Sequence, residues 1–229
     1  IRQSPRDWFW VHNRWKTQTP KFLLTKYKRG HSLPPDMSEA ELKPFRILVR
    51  SPNPLGDACM SVPAVRAIKR GRPDTEITVL CPENLTDFWQ GEQDVDHVIS
   101  RSRSASNRSV AKVLREEGPF DVAILLPNST RCAIEVKKAG IPHIVGYPAK
   151  WRNRMLHQLI VPGDTSSGPR PHHVTHYLKI AETIGADLSD QTIFNPPPGM
   201  PKPNPERIAI SAGADYGPSK CWPTERFIA

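Results

Sequence analysis

Cysteine is scarce in this sequence, which has four among its 229 residues, at positions 59, 81, 132 and 221. No two of them form a C-x-x-C pair, and they are too few and too scattered for the dense disulfide framework of a small secreted domain. A disulfide scaffold is therefore excluded. The pattern indicates thiols that are kept reduced in a cytoplasmic compartment.

Long apolar stretches are also missing. No run approaches the roughly 20 apolar residues that a helix needs to cross a bilayer, so no membrane-spanning helix is predicted. The chain begins at Ile1 instead of a methionine, and it ends at Ala229, within what reads as the start of a helix. We therefore expect a fragment of a longer protein.

Charge, by contrast, is abundant and unbalanced. The formal net charge is +9, and residues 1–45 supply +5 of it, with nine basic against four acidic side chains. A basic surface favours polyanions, whether nucleic acid, anionic lipid or phosphorylated sugar. Nucleic acid is the least favoured, because no helix-turn-helix or ribonucleoprotein motif is present and Trp151 is the only aromatic residue in the basic segment 150–154.

From residue 45 onward, short apolar runs alternate with helical patterns. Strands are predicted at 46–50, 76–80, 97–99 and 120–126, and helices up to Arg70 and at 109–117, 128–139 and 172–184. The run 120–126 is apolar on both faces, as a central parallel strand is, and Gly140 follows a helix where a left-handed cap is preferred. This alternation predicts an α/β fold with a Rossmann-like open parallel sheet.

Composition divides the chain into four parts. Residues 1–44 have no sustained period and are predicted to be a tail and linker. Residues 45–194 form the predicted Rossmann-like domain, and the proline-rich segment 195–206 is predicted to be a stiff interdomain linker. Residues 207–229 begin a second α/β domain, with a strand at 207–211, that is cut short.

The first candidate site follows the first predicted strand, at Gly56 and Asp57. Parallel sheets bind ligands at the carboxyl ends of their strands. There Gly56 would allow close approach or a positive φ, and Asp57 is placed to act as a general base. The alternative is that Asp57 merely caps the following helix. Pro63 predicts either a kink in that helix or a helix that starts only near Val62.

A second candidate site is the glycine-containing loop 213–223, between a predicted strand and a predicted helix. Backbone N–H groups at Gly213, Ala214 and Ser219, together with the Lys220 ammonium, are suited to cradling a phosphate. The same cation would stabilise charge on a departing diphosphate. An ordinary surface loop is the competing interpretation.

Two further groups of residues carry charge or potential ligands. Arg152 and Arg154 can bind sugar-linked phosphates or carboxylates bidentately, with a solvated basic loop as the alternative. His172, His173 and His176 lie close in sequence. We predict no metal site there, because no further ligand follows at a recognisable spacing and no H-E-x-x-H motif is present.

Several motifs occur in a fixed order along residues 46–229. They are Ile47-Leu48-Val49, Pro54-Leu55-Gly56-Asp57, Pro63-Ala64-Val65, Leu126-Pro127-Asn128-Ser129, Gly140-Ile141-Pro142-His143, Gly146-Tyr147 and the loop 213–220 with Trp222-Pro223. This series resembles the ADP-heptose:lipopolysaccharide heptosyltransferases of glycosyltransferase family 9. The loop 213–220 resembles the second heptosyltransferase of core assembly in particular.

The resemblance implies a GT-B architecture of two Rossmann-like domains, with the acceptor on the first, ADP-heptose on the second and catalysis between them. It implies that Asp57 is the base, that Lys220 is the diphosphate partner, and that the acceptor contacts are Gly56, Asn128, Arg152 and Arg154. The reaction implied is an inverting, metal-independent transfer of heptose to the phosphorylated inner core of lipopolysaccharide, without a cofactor. Cys221 departs from the family pattern, which commonly has a basic residue there.

The tail has a resemblance of its own. Residues 5–16, which include Trp8, Phe9, Trp10 and Trp15, resemble the C-terminal end of lipid A lauroyl and myristoyl acyltransferases. This implies a fusion of two enzymes of lipopolysaccharide synthesis, in peripheral contact with anionic lipid at the cytoplasmic face of the inner membrane.

We expect the fragment to be inactive alone. The alternatives are a non-catalytic acceptor-binding module and a remnant of the acyltransferase fusion.

Overall fold

The computed structural model describes residues 44–161 and 172–197, together with residues 206, 221 and 223–226. The chain divides into two compact units, Ile1–Asn195 and Pro196–Ala229. In the second unit the described structure includes a short 3-10 helix, Thr224–Arg226. Every described strand lies in the first unit. The predicted domain boundaries at residues 44, 194 and 206 stay predictions.

Six parallel strands form one sheet in the first unit. They are β1 (Phe45–Arg50), β2 (Thr75–Pro82), β3 (His97–Arg101), β4 (Val122–Leu125), β5 (His143–Gly146) and β6 (Gln158–Leu159). Their order across the sheet is β3-β2-β1-β4-β5-β6, with every pairing parallel. In this doubly wound order the winding reverses between β1 and β4, and the loops after those two strands flank the crevice where such sheets bind ligands.

The helices connect the strands and cover both faces of the sheet. They are α1 (Leu55–Gly71), α2 (Thr86–Gln90), α3 (Asn107–Glu117), α4 (Thr130–Ala139) and α5 (Val174–Glu182), with 3-10 turns at Glu83–Leu85, Asn153–Met155 and Gln191–Phe194. Side chains of Ser106 and Ser129 accept hydrogen bonds from the first turns of α3 and α4. No helix in the described part of the chain is both long and apolar enough to cross a membrane.

Two apolar cores lie on opposite faces of the sheet, because successive strand residues point to opposite sides. Ile47 and Val49 of β1 face the core that is shared with α1 and α5. Leu48, between them, faces the core that is shared with α3 and α4. All four residues of β4 are buried. The predicted open parallel α/β sheet, with a central strand buried on both faces, is confirmed.

Several boundaries differ from the sequence-based predictions. Helix α1 runs unbroken from Leu55 to Gly71 with Pro63 buried inside it, so a start near Val62 is wrong. Burial of the helix face offsets the hydrogen bond that Pro63 cannot donate. Helix α4 starts at Thr130, two residues later than predicted, and Gly140 ends it with φ 83°, as predicted. Strands β5 and β6 were not predicted, because segments of four and two residues are too short to show an alternating pattern in the sequence.

Gly71 ends α1 where the segment after α5 passes directly beside it. A Cβ at Gly71 would overlap the Gly185 carbonyl oxygen and the Asp187 backbone nitrogen. In the same place the Asp187 N–H donates to the Ala67 carbonyl at 2.8 Å. The contact joins backbone to backbone, so neither side can move away as a flexible side chain would. Only glycine fits at position 71.

The first prediction compares two glycines at opposite ends of α1. Gly71→Ala is expected to lower the free energy of unfolding by about 1–3 kcal/mol or more, because overpacking there displaces backbone. Gly56→Ala is its control, since a Cβ at Gly56 meets nothing within 4 Å, and an alanine in a helix is neutral to stabilising. Urea denaturation measures both variants. Equal stability of the two would contradict the close approach at Gly71.

Candidate functional site

The loop after β1, residues 51–54, is held in place by buried side chains. The Arg50 guanidinium donates from Nη1 to the Ser51 carbonyl at 2.6 Å and from Nη2 to Asn53 Oδ1 at 3.2 Å. Trp89 donates from Nε1 to Ser51 Oγ at 2.9 Å. Both Arg50 and Trp89 are buried. This loop therefore sets where α1 begins and where the side chains of its first turn stand.

Asp57 stands in the first turn of α1 and does not cap it. Pro54 occupies the N-cap position, and no side chain makes a capping hydrogen bond there. The interpretation of Asp57 as a helix cap is therefore wrong, because the helix starts two residues before it. The Asp57 side chain is one-third exposed (33%) and lies at the positive end of the helix dipole. This leaves the carboxylate available to a ligand at the edge of the sheet.

His173 lies beside Asp57, although the two residues are far apart in sequence. Its Nδ1 is 3.5 Å from Asp57 Oδ1, and its ring packs on the Tyr177 ring with centroids 5.0 Å apart. The imidazole thus limits the orientations open to the Asp57 carboxylate. Sequence reasoning did not find this partner, because only the packing of α5 against α1 brings it near.

The neighbouring histidines have other partners. His172 Nδ1 accepts a hydrogen bond from the Val174 N–H at 3.3 Å, at the start of α5. His176 packs edge-on against the Tyr147 ring at 4.9 Å. Within the described residues no group of three or more His, Cys, Asp or Glu side chains is arranged to hold a metal ion. The absence of a metal requirement stays a prediction.

Two buried tyrosines lie behind these histidines. Burial raises the pKa of the Tyr177 phenol, and the negative charge of Asp57 raises that pKa further. Burial likewise raises the pKa of the Tyr147 phenol, whose hydroxyl donates to the His176 carbonyl at 3.0 Å. Both phenols therefore stay neutral at physiological pH. Tyr177, which packs on the His173 ring, is therefore an uncharged neighbour of Asp57.

Gly56 and Asn128 lie exposed at the crevice between β1 and β4. Gly56 is helical and is not among the described residues with positive φ, so that part of the prediction is wrong. The space where its Cβ would stand is open, and a ligand can approach the backbone there. Asn128 follows β4, the neighbour of β1 in the sheet. Their roles as acceptor contacts stay predictions.

Arg152 differs from its neighbours, because its side chain is fully buried. Its Nη1 donates to the Pro127 carbonyl at 2.6 Å, and Gly146 leaves the space in which its Nη2 lies. Burial lowers the pKa of this guanidinium. The interpretation of this segment as a solvated basic loop is therefore wrong for Arg152. Its side chain instead ties the loop after β5 to the loop after β4. Its contact with an acceptor stays a prediction, as does that of Arg154, which is exposed.

A buried carboxylate organises the other side of the crevice. Glu135 of α4 is fully buried and lies 3.5 Å from Arg50 Nε, 3.7 Å from Arg101 Nη1 and 3.1 Å from Arg131 Nε. One negative charge thus faces three guanidinium groups. Burial lowers the pKa of Arg101, and the charge of Arg50 lowers it further. The cluster therefore keeps an excess of positive charge.

The chain resembles known proteins in sequence and fold. The lipopolysaccharide heptosyltransferase 2 of Escherichia coli is 26% identical over 202 residues, and the match covers 78% of this chain. The lipooligosaccharide heptosyltransferase 2 of Haemophilus ducreyi is 24% identical over 204 residues. A solved structure of the E. coli ADP-heptose lipopolysaccharide heptosyltransferase II superposes with a TM-score of 0.57 at 26% identity.

The chain is similar to the heptosyltransferases. It spans 57% of the length of the curated relatives from E. coli and H. ducreyi. A glycosyltransferase of family 9 from Veillonella parvula shares the fold, with a TM-score of 0.56 at 21% identity over 66% of this chain. No known protein-family profile matches the chain. The chain is therefore similar to these proteins in both sequence and fold over the larger part of its length.

Other predicted residues lie outside the described part of the chain. They are the candidate phosphate-binding residues Gly213, Ala214, Ser219 and Lys220 and the tail residues 5–16 that resemble an acyltransferase. The described site thus consists of the loops after β1, β4 and β5. It holds the carboxylate proposed to act as a base and the residues proposed to contact an acceptor.

The second prediction concerns Glu135. Glu135→Gln leaves the buried Arg50 and Arg101 without their counter-charge, and breaking a buried ion pair in this way costs about 3–5 kcal/mol of unfolding free energy. The matched control is Glu116→Gln, which breaks the exposed pair with Lys112 and should leave stability nearly unchanged. Chemical denaturation of both variants is the measurement. If they unfold at the same denaturant concentration, the buried cluster is not stabilised by Glu135.

Proposed function

We propose that this chain forms the acceptor side of an inverting glycosyltransferase that transfers heptose from ADP-heptose to the phosphorylated inner core of lipopolysaccharide. One observation carries the proposal. The Asp57 carboxylate lies at the carboxyl edge of the sheet, beside the point where the winding reverses, in a fold shared with an E. coli ADP-heptose lipopolysaccharide heptosyltransferase II. That edge is where doubly wound sheets bind their ligands.

In the proposed reaction Asp57 accepts the proton of an acceptor hydroxyl. The oxygen then attacks the anomeric carbon of the heptose from the face opposite the diphosphate. The new glycosidic bond forms as the bond to ADP breaks, so the configuration at that carbon inverts. His173, 3.5 Å from the carboxylate, acts as a positioning residue that keeps one carboxylate oxygen directed at the acceptor.

Two negatively charged groups must be stabilised in the proposed reaction, the phosphorylated acceptor and the departing diphosphate. The phosphorylated acceptor would lie along the loops after β4 and β5, where Arg154 is exposed. The excess positive charge of the Glu135 cluster, at the ends of β1 and β3, would add to the attraction. The departing diphosphate would be stabilised by Lys220 with the backbone of Gly213, Ala214 and Ser219. The proposed reaction needs neither a metal ion nor a cofactor.

The cellular setting is part of the same proposal. In this proposal the lipopolysaccharide acceptor is anchored at the cytoplasmic face of the inner membrane. The net charge of +9 favours peripheral contact with anionic lipid there. The resemblance of the tail to lipid A acyltransferases would place two steps of one synthesis in one protein.

The third prediction tests the base. In the full-length enzyme Asp57→Asn is expected to lower turnover about a hundredfold or more, because the amide cannot accept the proton, while acceptor affinity changes little. Asp87→Asn is the matched control, since Asp87 occupies the first turn of α2. Steady-state heptose transfer at saturating acceptor measures both. Near-normal turnover by Asp57→Asn would show that Asp57 is not the general base.

The fourth prediction tests the leaving group. Lys220→Ala in the full-length enzyme should lower kcat more than it raises the KM for ADP-heptose, because the diphosphate gains charge as the glycosidic bond breaks. A contact made equally with bound substrate would raise KM and leave kcat unchanged. A raised KM with an unchanged kcat would show that Lys220 does not stabilise the transition state.

A further inference from the structure

The loop after β5 contains a turn with unusual chemistry. The Arg152 N–H donates to the Ala149 carbonyl at 3.1 Å, which puts Lys150 and Trp151 at the two central positions. Trp151 has φ 67° and is the one non-glycine residue with positive φ in the described ranges 44–161 and 172–197. The second central position of such a turn, with positive φ, normally holds glycine. A tryptophan there is strained.

Hydrogen bonds on every side hold this turn in place. Asn153 Oδ1 accepts from the Ala149 N–H at 2.9 Å, and Thr130 Oγ1 donates to the Lys150 carbonyl at 3.1 Å. The buried Arg152 guanidinium anchors the turn to the Pro127 carbonyl. The strained conformation is therefore imposed by its surroundings. Strained residues that are fixed in this way are concentrated at ligand sites.

The strain does not serve packing, because it turns the Trp151 side chain outward. The residue is 76% exposed, more than any other large hydrophobic residue in the described part of the chain. It lines a depression of about 470 Å³ with Lys150, Arg154, Asn153, Ala149 and Pro148. No carboxylate is among these lining residues, and in the described structure neither Lys150 nor Arg154 forms a salt bridge. The surface thus offers one flat aromatic face between two available cations.

We propose that Trp151, Lys150 and Arg154 form a subsite for a sugar ring that carries a phosphate or carboxylate. The indole face would stack on the C–H face of the ring, as a large aromatic surface with few internal rotations does at low entropic cost. Lys150 and Arg154 would pair with the anionic group, Arg154 bidentately. The inference rests on the proposed function, since the ring would belong to the acceptor.

Position in the sheet favours this occupant. Strand β5 is two strands away from β1, across β4, and two strand spacings amount to about 10 Å. An acceptor whose reacting hydroxyl lies at Asp57 would therefore extend its neighbouring ring toward the Trp151 turn. An exposed tryptophan between basic residues also suits a membrane interface. The depression and the rigid turn on the ligand-binding edge favour the sugar.

Trp151→Gly in the full 229-residue chain separates recognition from stability. Glycine suits the positive φ, so the melting temperature should stay the same or rise. Affinity for a phosphorylated inner-core oligosaccharide, measured by calorimetry, should fall at least about tenfold, as for loss of an aromatic anchor. Trp151→Phe should recover part of it. Phe194→Ala, which removes an exposed ring elsewhere, should leave the affinity unchanged.

Lys150→Gln and Arg154→Gln test the anionic group. Both should reduce binding of the phosphorylated oligosaccharide. If the anionic group is a phosphate, binding of the dephosphorylated counterpart should be unchanged. If it is a carboxylate, the variants should weaken binding of both saccharides equally. The subsite is wrong if the chain does not bind the phosphorylated saccharide, or if Trp151→Gly binds it as tightly as the wild type. It is also wrong if Trp151→Gly weakens only the binding of vesicles that contain anionic lipid. The proposed reaction is judged separately, by transfer in the Asp57→Asn variant.

Discussion

Glu135 lies at the centre of the described unit. Its carboxylate has no access to solvent and faces Arg50 at the end of β1, Arg101 at the end of β3 and Arg131 in the first turn of α4. Such a charge can be buried only because cations surround it. Arg50 in turn holds the loop after β1 through Asn53. The loop that precedes α1 is therefore held in part by a buried negative charge.

The two ends of α1 show how packing assembles a site from distant residues. At its C-terminal end, Gly71 lets the segment after α5 approach backbone to backbone. That approach fixes α5 along α1, and the residue before α5, His173, then lies next to Asp57 at the other end of α1. A contact between backbone atoms thus sets the distance between the His173 and Asp57 side chains.

The basic segment 150–154 divides into two parts with different physical roles. Arg152 turns inward, is fully buried and joins two loops at the carboxyl edge of the sheet. Trp151, Lys150 and Arg154 line the depression outside. The inward anchor is what makes the outward surface rigid, because the hydrogen bonds that fix the strained turn include the one from Arg152 to Pro127. A fully buried side chain thus fixes the position of one that is largely exposed.

The sequence by itself determined the alternation of strands and helices, the central strand at β4, the left-handed cap at Gly140 and the position of Asp57 at the carboxyl edge. These follow from local period, turn chemistry and the geometry of parallel sheets. Tertiary structure alone decided that Asp57 is not a cap, that His173 is its neighbour and that Arg152 is buried. Short strands such as β5, and contacts between residues far apart in sequence, carry no local signal. They exist because neighbouring elements supply the hydrogen bonds and the apolar surface that the segments lack.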